Sequence, residues 1–227
     1  MARSIVIVAT CEQTPLMRVR AAQAAIAIAD HFREAGQNVL FVIDSLTRLA
    51  IAQRELGLLL GEPPSSRGYT PSVFAALANT VERLGNSAVG SITALLTVLV
   101  DGGDMDEPIA DYVRGLVDGH IVLDRSIAER GRYPAINILR SVSRTMPACN
   151  TPAENEVVNR ARALIAQYED MAELIRLGAY KKGSDPGVDE AIRYQPDLDK
   201  FLSQAKNERV PIAAGYTALA DVLGMRR

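Results

Sequence analysis

The acidic side chains best placed to meet a cation or a basic partner are one isolated aspartate and a cluster of four carboxylates. Asp44 ends the apolar run Val39-Leu40-Phe41-Val42-Ile43. A run of this kind, rich in β-branched and aromatic side chains, predicts a strand buried on both faces, the habit of a central strand in a parallel sheet. A carboxylate at the tip of such a strand sits where open α/β sheets bind ligands. The chemistry that wants it there is Mg²⁺ held beside phosphates. An aspartate capping a helix that begins near Ser45 would look the same, and this stretch alone leaves both readings open. The cluster is Asp101, Asp104, Asp106 and Glu107 in DGGDMDE. A calcium loop needs a glycine at its sixth position and a glutamate at its twelfth. Here the glycines fall second and third, so the pattern predicts a solvated acidic turn that could meet a partner. Cys11 and Cys149, with His31 and His120, form no metal or disulfide pattern. His120, at a strand entrance, reads as structural.

The elements that position these groups follow from periodicity and punctuation. Ser4 to Thr10 is a second apolar run and predicts a strand. Thr14 reads as an N-cap with Pro15 in the first turn, and Gly36 closes the helix between them. Strand, helix, strand makes a βαβ unit, so the sheet is at least partly parallel. A helix then runs from Ser45 to a break at Gly61, followed by the Pro- and Gly-rich loop 62–71. Further elements are a helix at 73–84, a strand at 91–100, a helix at 108–117, a strand at 120–123 and a short helix at 126–130. MPACNTP at 146–152 reads as a linker, and the remainder is helical, with caps or breaks at Thr151, Gly178, Gly183, Gly187, Pro196 and Pro211. The expected class is α/β with a mostly parallel sheet over residues 1–149, followed by a small all-helical domain over 150–227.

With 227 residues, 48% of them hydrophobic, the chain can bury one full core and a small second one. A net charge of −2 provides no electrostatic reason to expect nucleic acid as a partner. No apolar run approaches the ~20 residues of a membrane span. These features predict a reduced, cytosolic protein.

Longer segments carry a resemblance. FVIDSLTR, AQRELGLLLGEPPSSRGYTPSVFAAL, GSITALLTVLVDGGDMDEPIAD, GLVDGHIVLDRSIAERGRYPAINILRSVSRTMP and ELIRLGAYKKGSDPGVDEAI resemble the type III protein-export ATPases. Those enzymes are relatives of the catalytic subunit of rotary ATP synthases. The SIAERGRYPAINILRSVSRTMP wording resembles the flagellar kind more than the injectisome kind. The resemblance covers essentially the whole chain. It implies a P-loop NTPase (RecA-like) core followed by helices, homohexamers with nucleotide between neighbouring subunits, and ATP hydrolysis that energises protein export. The location it implies is the bacterial cytoplasm, at the cytoplasmic face of the export apparatus, with membrane association only through that apparatus.

Residue by residue, the resemblance implies that Asp44 is the Walker-B carboxylate, acting on Mg²⁺ mainly through water. Arg48 resembles the arginine near the γ-phosphate and the attacking water. Tyr133 resembles the tyrosine that stacks on adenine, and Arg144 the arginine finger that reaches into the neighbouring site, with Arg140 as second candidate. Asp101, Asp104, Asp106 and Glu107 match a loop that faces the central pore, where a coiled-coil stalk protein enters. Export chaperones and the export gate are the other implied partners. One departure stands out. The P-loop G-x-x-x-x-G-K-[ST] is absent, no lysine precedes Lys181, and the family's catalytic glutamate is missing too. The chain therefore looks like the back half of such an enzyme and is expected to be inactive by itself. A non-catalytic module that only binds partners of the export apparatus is the alternative.

Overall fold

Threonine and proline set the start of the first helix, as their positions predict. In the computed structural model, which describes residues 3–225, α1 runs from Pro15–Glu34, with the Thr14 hydroxyl accepting from the Met17 amide. Gly36, at φ +76°, turns the chain out of the helix, a conformation that costs glycine no Cβ clash. The chain packs as two compact units, 1–117 and 118–227. The expected division near 149 lies inside the second of these.

The first unit continues with β1 (Asn38–Ile43), α2 (Leu46–Leu59), α3 (Pro71–Glu82), β2 (Ser91–Leu96) and α4 (Pro108–Leu116). β1 and β2 are parallel, paired from Asn38 with Ser91 to Ile43 with Leu96. Ile26 and Ala29 of α1 pack with Phe41 and Ile92 of the sheet. Leu46, Leu49, Val73, Leu77, Ile109 and Val113 gather α2, α3 and α4 into a second cluster.

Several expectations are corrected here. The strand expected over Ser4 to Thr10 is not formed. Those residues take no regular structure, Ile5, Val6 and Val8 are exposed, and no described strand pairs with them. A strand requires a neighbour to complete its hydrogen bonds, which apolar composition does not supply. The parallel pairing therefore joins β1 to β2 across α2 and α3, not to the 4–10 segment. β1 is also not buried on both faces: Phe41 is inside, whereas Leu40 and Val42 are exposed. Within the 62–71 loop, Ser66–Gly68 forms a single 3₁₀ turn around Arg67 at φ +47°.

The second unit pairs β3 (Gly119–Leu123) with β4 (Ile136–Ser143) antiparallel, with a register irregularity between His120 and Val122. α5 (Arg125–Glu129) lies between them in sequence. No element was expected over the β4 stretch, and the β3–β4 pair forms a two-stranded sheet of its own, separate from the parallel pair β1–β2. α6 (Pro152–Arg176), α7 (Pro186–Phe201) and α8 (Ile212–Val222) bury Val157, Leu164, Ile165, Ala191, Leu198 and Leu219 together. Thr151 and Glu154 form a reciprocal capping box at the start of α6. Pro196, expected as a break, lies inside α7. Val188, Ala191 and Leu198 are buried along the helix, and that burial outweighs the hydrogen bond proline cannot make. β4 joins the helices through the Arg162 guanidinium, which donates to the Ile138 carbonyl at 2.9 Å.

Gly57 of α2 tests the packing between α2 and the following loop. A methyl group there would meet the Thr70 hydroxyl, the Thr70 Cβ at 3.0 Å and the Ser72 hydroxyl at 3.1 Å. Thr70 is fully buried and has nowhere to move. Alanine gains about 1 kcal/mol over glycine in a free helix, but overpacking costs about 1–3 kcal/mol. Gly57→Ala is therefore expected to lower the urea midpoint of unfolding, and a raised midpoint would contradict this packing.

Candidate functional site

The turn from β1 to α2 separates two jobs that the sequence left on one residue. The Ser45 hydroxyl, in a buried residue, accepts from the Arg48 amide at 3.3 Å and caps α2. Asp44 is thus not used as a cap, and its side chain points into an exposed position. Its Oδ1 accepts a hydrogen bond from the Thr97 hydroxyl at 3.1 Å. Asp44 sits just beyond the carboxyl ends of two parallel strands, the edge at which open α/β sheets bind ligands. Arg48, in the first turn of α2, is exposed, and no salt bridge reaches its guanidinium among the described residues. The fixed partners nearby are polar. Thr47, buried, accepts from the Leu99 amide at 2.9 Å and ties the segment after β2 to α2.

The acidic turn divides its carboxylates among different tasks. Asp101–Gly103 is a 3₁₀ turn. Asp104 Oδ2 accepts from the Arg67 guanidinium at 2.7 Å, and Oδ1 from the Asp106 amide at 3.1 Å. The Arg67 hydrogen bond, and then that of the Asp106 amide, hold the Asp104 carboxyl below its ordinary range. Glu107 corrects an expectation. Its carboxylate accepts from the Ile109 and Ala110 amides, both at 3.0 Å, and caps α4. At 9% exposure it is spent on the helix N-terminus and not available to a partner. Asp101, Asp104 and Asp106 remain exposed. Burial, and then the Glu107 charge, raise the Tyr69 phenol above its ordinary value.

In the second unit, Tyr133 precedes Pro134 and is 59% exposed, so its ring is not packed into a core. Its carbonyl accepts from the Gln204 amide at 2.8 Å. Arg144 follows β4, its amide donates to the Asp118 carbonyl at 2.7 Å, and its side chain is exposed. Arg140 is also exposed, but its main chain is built into the hairpin. Its amide donates to Asn137 Oδ1 at 3.0 Å, and its carbonyl lies 3.2 Å from His120 Nε2. That contact agrees with a structural His120. Asp44 and Arg48 thus belong to one unit, and Tyr133 and Arg144 to the other.

Two groups at these edges escaped the sequence. Thr97 is visible only once β1 and β2 are paired. Asp124 takes hydrogen bonds from Ser126 and Asn137, which hold its carboxyl below the ordinary range. Its Asp-Arg-Ser start before a short helix is an N-cap signal that could have identified it.

The model of the ATP synthase alpha/beta family nucleotide-binding domain matches residues 1–143. The chain belongs to the ATP synthase alpha/beta family. A second model, of the type III secretion EscN ATPase C-terminal domain, matches residues 150–221. Within this ATP synthase alpha/beta family, the chain is 52% identical over 222 residues to the flagellum-specific ATP synthase of Bacillus subtilis, covering 98% of this chain and 51% of that protein. The chain spans about half the length of the curated relatives it matches. Among solved structures it is similar to the assembled ATPase EscN of the enteropathogenic E. coli type III secretion system. That match has a TM-score of 0.92 and 40% identity, and covers 95% of this chain and 52% of that one. EscN in complex with its central stalk EscO matches with a TM-score of 0.87 at 40% identity, over 95% of this chain and 52% of that one. The resemblance to type III export ATPases is borne out, and the fold is α/β with a helical C-terminal region.

The Arg67–Asp104 pair has a pH signature. A carboxylate whose folded pKa is depressed contributes stability above its ordinary pKa, and loses it as pH falls through the folded value. Arg67→Ala removes the larger cause, so the Asp104 carboxyl should titrate at a higher pH. Following its carboxyl carbon by NMR checks this, and an unmoved midpoint would show that the pair does not form in solution.

Proposed function

We propose that this chain forms part of an ATPase that energises type III, flagellar-type protein export as a homohexamer at the cytoplasmic face of the export apparatus. The observation that carries the reading is the exposed carboxylate of Asp44 at the carboxyl edge of β1 and β2, relieved of capping by Ser45. Mg²⁺ is ordinarily bound by one or two carboxylates together with waters and substrate phosphates, not by an all-protein cage. One exposed aspartate with a free face fits that demand. Bound with ATP, Mg²⁺ would neutralise charge on the phosphates. In this reading Asp44 would hold the metal through its waters, and Arg48 would supply positive charge toward the γ-phosphate and the attacking water. Tyr133 offers its exposed ring to adenine, where stacking gains dispersion without reading base edges. Arg144 serves a neighbouring subunit, because a guanidinium stays charged and presents a planar fork to phosphate oxygens.

Asp101, Asp104 and Asp106 would meet a basic surface on a coiled-coil stalk protein and steer its approach. Export chaperones and the export gate complete the proposed partners. The division into a nucleotide-binding core to residue 149 and a helical domain from 150 is likewise a proposal, supported by the two family ranges. Among the described residues no helix is long and apolar enough to cross a membrane.

The 227-residue chain by itself contains no phosphate-cradling P-loop. Positioning and electrostatics supply nearly all catalysis in phosphoryl transfer, so it is expected to turn over no ATP above a buffer blank. Turnover that persists through purification and vanishes in Asp44→Asn would contradict this.

The reading as a whole is tested in the complete enzyme. Arg144→Ala should spare nucleotide binding and hexamer formation yet lower turnover by about 10³ to 10⁵, the range of arginine fingers. Arg144→Lys should rescue little. Arg144→Ala subunits mixed with subunits lacking the P-loop lysine should regain activity, since some interfaces then pair an intact cradle with an intact finger. Mixed hexamers that form and stay inactive would show that Arg144 does not act across the interface.

A further inference from the structure

The carboxyl edge of β2 carries a hydroxyl to which neither the expected site nor the family resemblance assigns a role. Thr97 directly follows β2, and its hydroxyl lies 3.1 Å from Asp44 Oδ1 and 3.3 Å from the Ile43 carbonyl oxygen. A hydroxyl has one hydrogen to donate, and an ionised carboxylate is the stronger of the two acceptors. The main chain sets where this hydroxyl points. The Thr97 amide donates to the Ile43 carbonyl at 3.2 Å, and the Thr97 carbonyl accepts from the Leu46 amide at 2.9 Å. Thr97 is therefore tied to residues on both sides of Asp44. A β-branched side chain on a fixed backbone has few χ1 choices. Among the described residues no other hydrogen bond or salt bridge reaches the Asp44 carboxylate, so Oδ2 stays open.

The geometry points to Thr97 as a positioning residue for Asp44. It donates to Oδ1, holds the exposed carboxylate in one rotamer, and leaves Oδ2 available to the waters that a nucleotide-bound Mg²⁺ would carry. This rests on Asp44 being the metal-side carboxylate. Partners of this kind orient a ligand before the metal arrives, and their loss typically costs about 10–100-fold in metal affinity. That range belongs to partners of directly bound ligands; Asp44 reaches the metal through water and Thr97 is exposed, so the effect sits at the lower end, about 10-fold.

The test uses the complete enzyme with ADP bound and Mn²⁺ as the probe, because Mn²⁺ takes the same oxygen ligands as Mg²⁺. Free Mn²⁺ is followed by electron paramagnetic resonance, and ADP binding without metal is measured in EDTA. Thr97→Val keeps the branched shape and removes the hydroxyl. It should raise the Mn²⁺ Kd about 10-fold while leaving metal-free ADP binding unchanged. Thr97→Ser keeps the hydroxyl and should restore the wild-type Mn²⁺ Kd. Thr97→Ala is the second hydroxyl-free variant if valine disturbs the folded state. If Asp44→Asn weakens Mn²⁺ binding and neither hydroxyl-free variant does, Thr97 has no positioning role although the reading of Asp44 survives. If Thr97→Ser loses as much as Thr97→Val, the hydroxyl is not responsible and the inference falls. If Asp44→Asn leaves Mn²⁺ binding unchanged, the metal-side reading itself fails and the inference falls with it.

Discussion

The constraint on which the first unit depends is the turn at the carboxyl end of β1. Within three residues the chain must finish a strand, present a charged side chain to water and begin a helix packed against the sheet. Each main-chain polar group released by that change of direction needs a partner, since an unpaired buried one costs about as much as a lost hydrogen bond. The turn meets this demand locally. The Ile43 carbonyl is taken by the Thr97 amide, the Leu46 amide by the Thr97 carbonyl, and the Arg48 amide by Ser45. With the backbone satisfied by neutral groups, Asp44 is spared from structural work.

The same economy governs the acidic turn after β2. Glu107 closes the N-terminus of α4 with two charge-assisted hydrogen bonds, where the helix dipole favours a negative charge. Asp104 is paired with Arg67 on the Pro-rich loop. The pair is more than a third exposed on both sides, so solvent screens it and its contribution to stability is small. Its effect is on geometry: it joins two loops that belong to different connections of the unit. Carboxylates adjacent in sequence thus end with unlike electrostatic surroundings.

The second unit is built around a contact between unlike elements. An antiparallel pair of strands is marginal by itself in water, and β3 and β4 are completed by the helices that follow. Leu139 packs beside the helical core, and Arg162 reaches the carbonyls of Ile138 and Leu139. This explains why the packing division falls before β3, at Val117, although the composition changes near residue 149. Composition records where helices begin, whereas packing records which surfaces need one another.

By itself the sequence determined most of the helix starts and stops, because caps, prolines and glycines act within one turn. Thr14 with Pro15, Gly61 and Thr151 all did what local chemistry requires. It also carried the family resemblance, and it placed Asp44 at a strand tip. What it could not settle was pairing. Ser4 to Thr10 and Val39 to Ile43 are alike as apolar runs, yet only the second finds a partner. That choice depends on residues about fifty positions away. Separation in sequence likewise hid Thr97 from Asp44 and Arg67 from Asp104, and the local stretch left open whether Asp44 was a helix cap or free to meet a ligand. Local rules fix the shape of a segment, but the tasks of its polar side chains are decided by whatever the fold brings beside them.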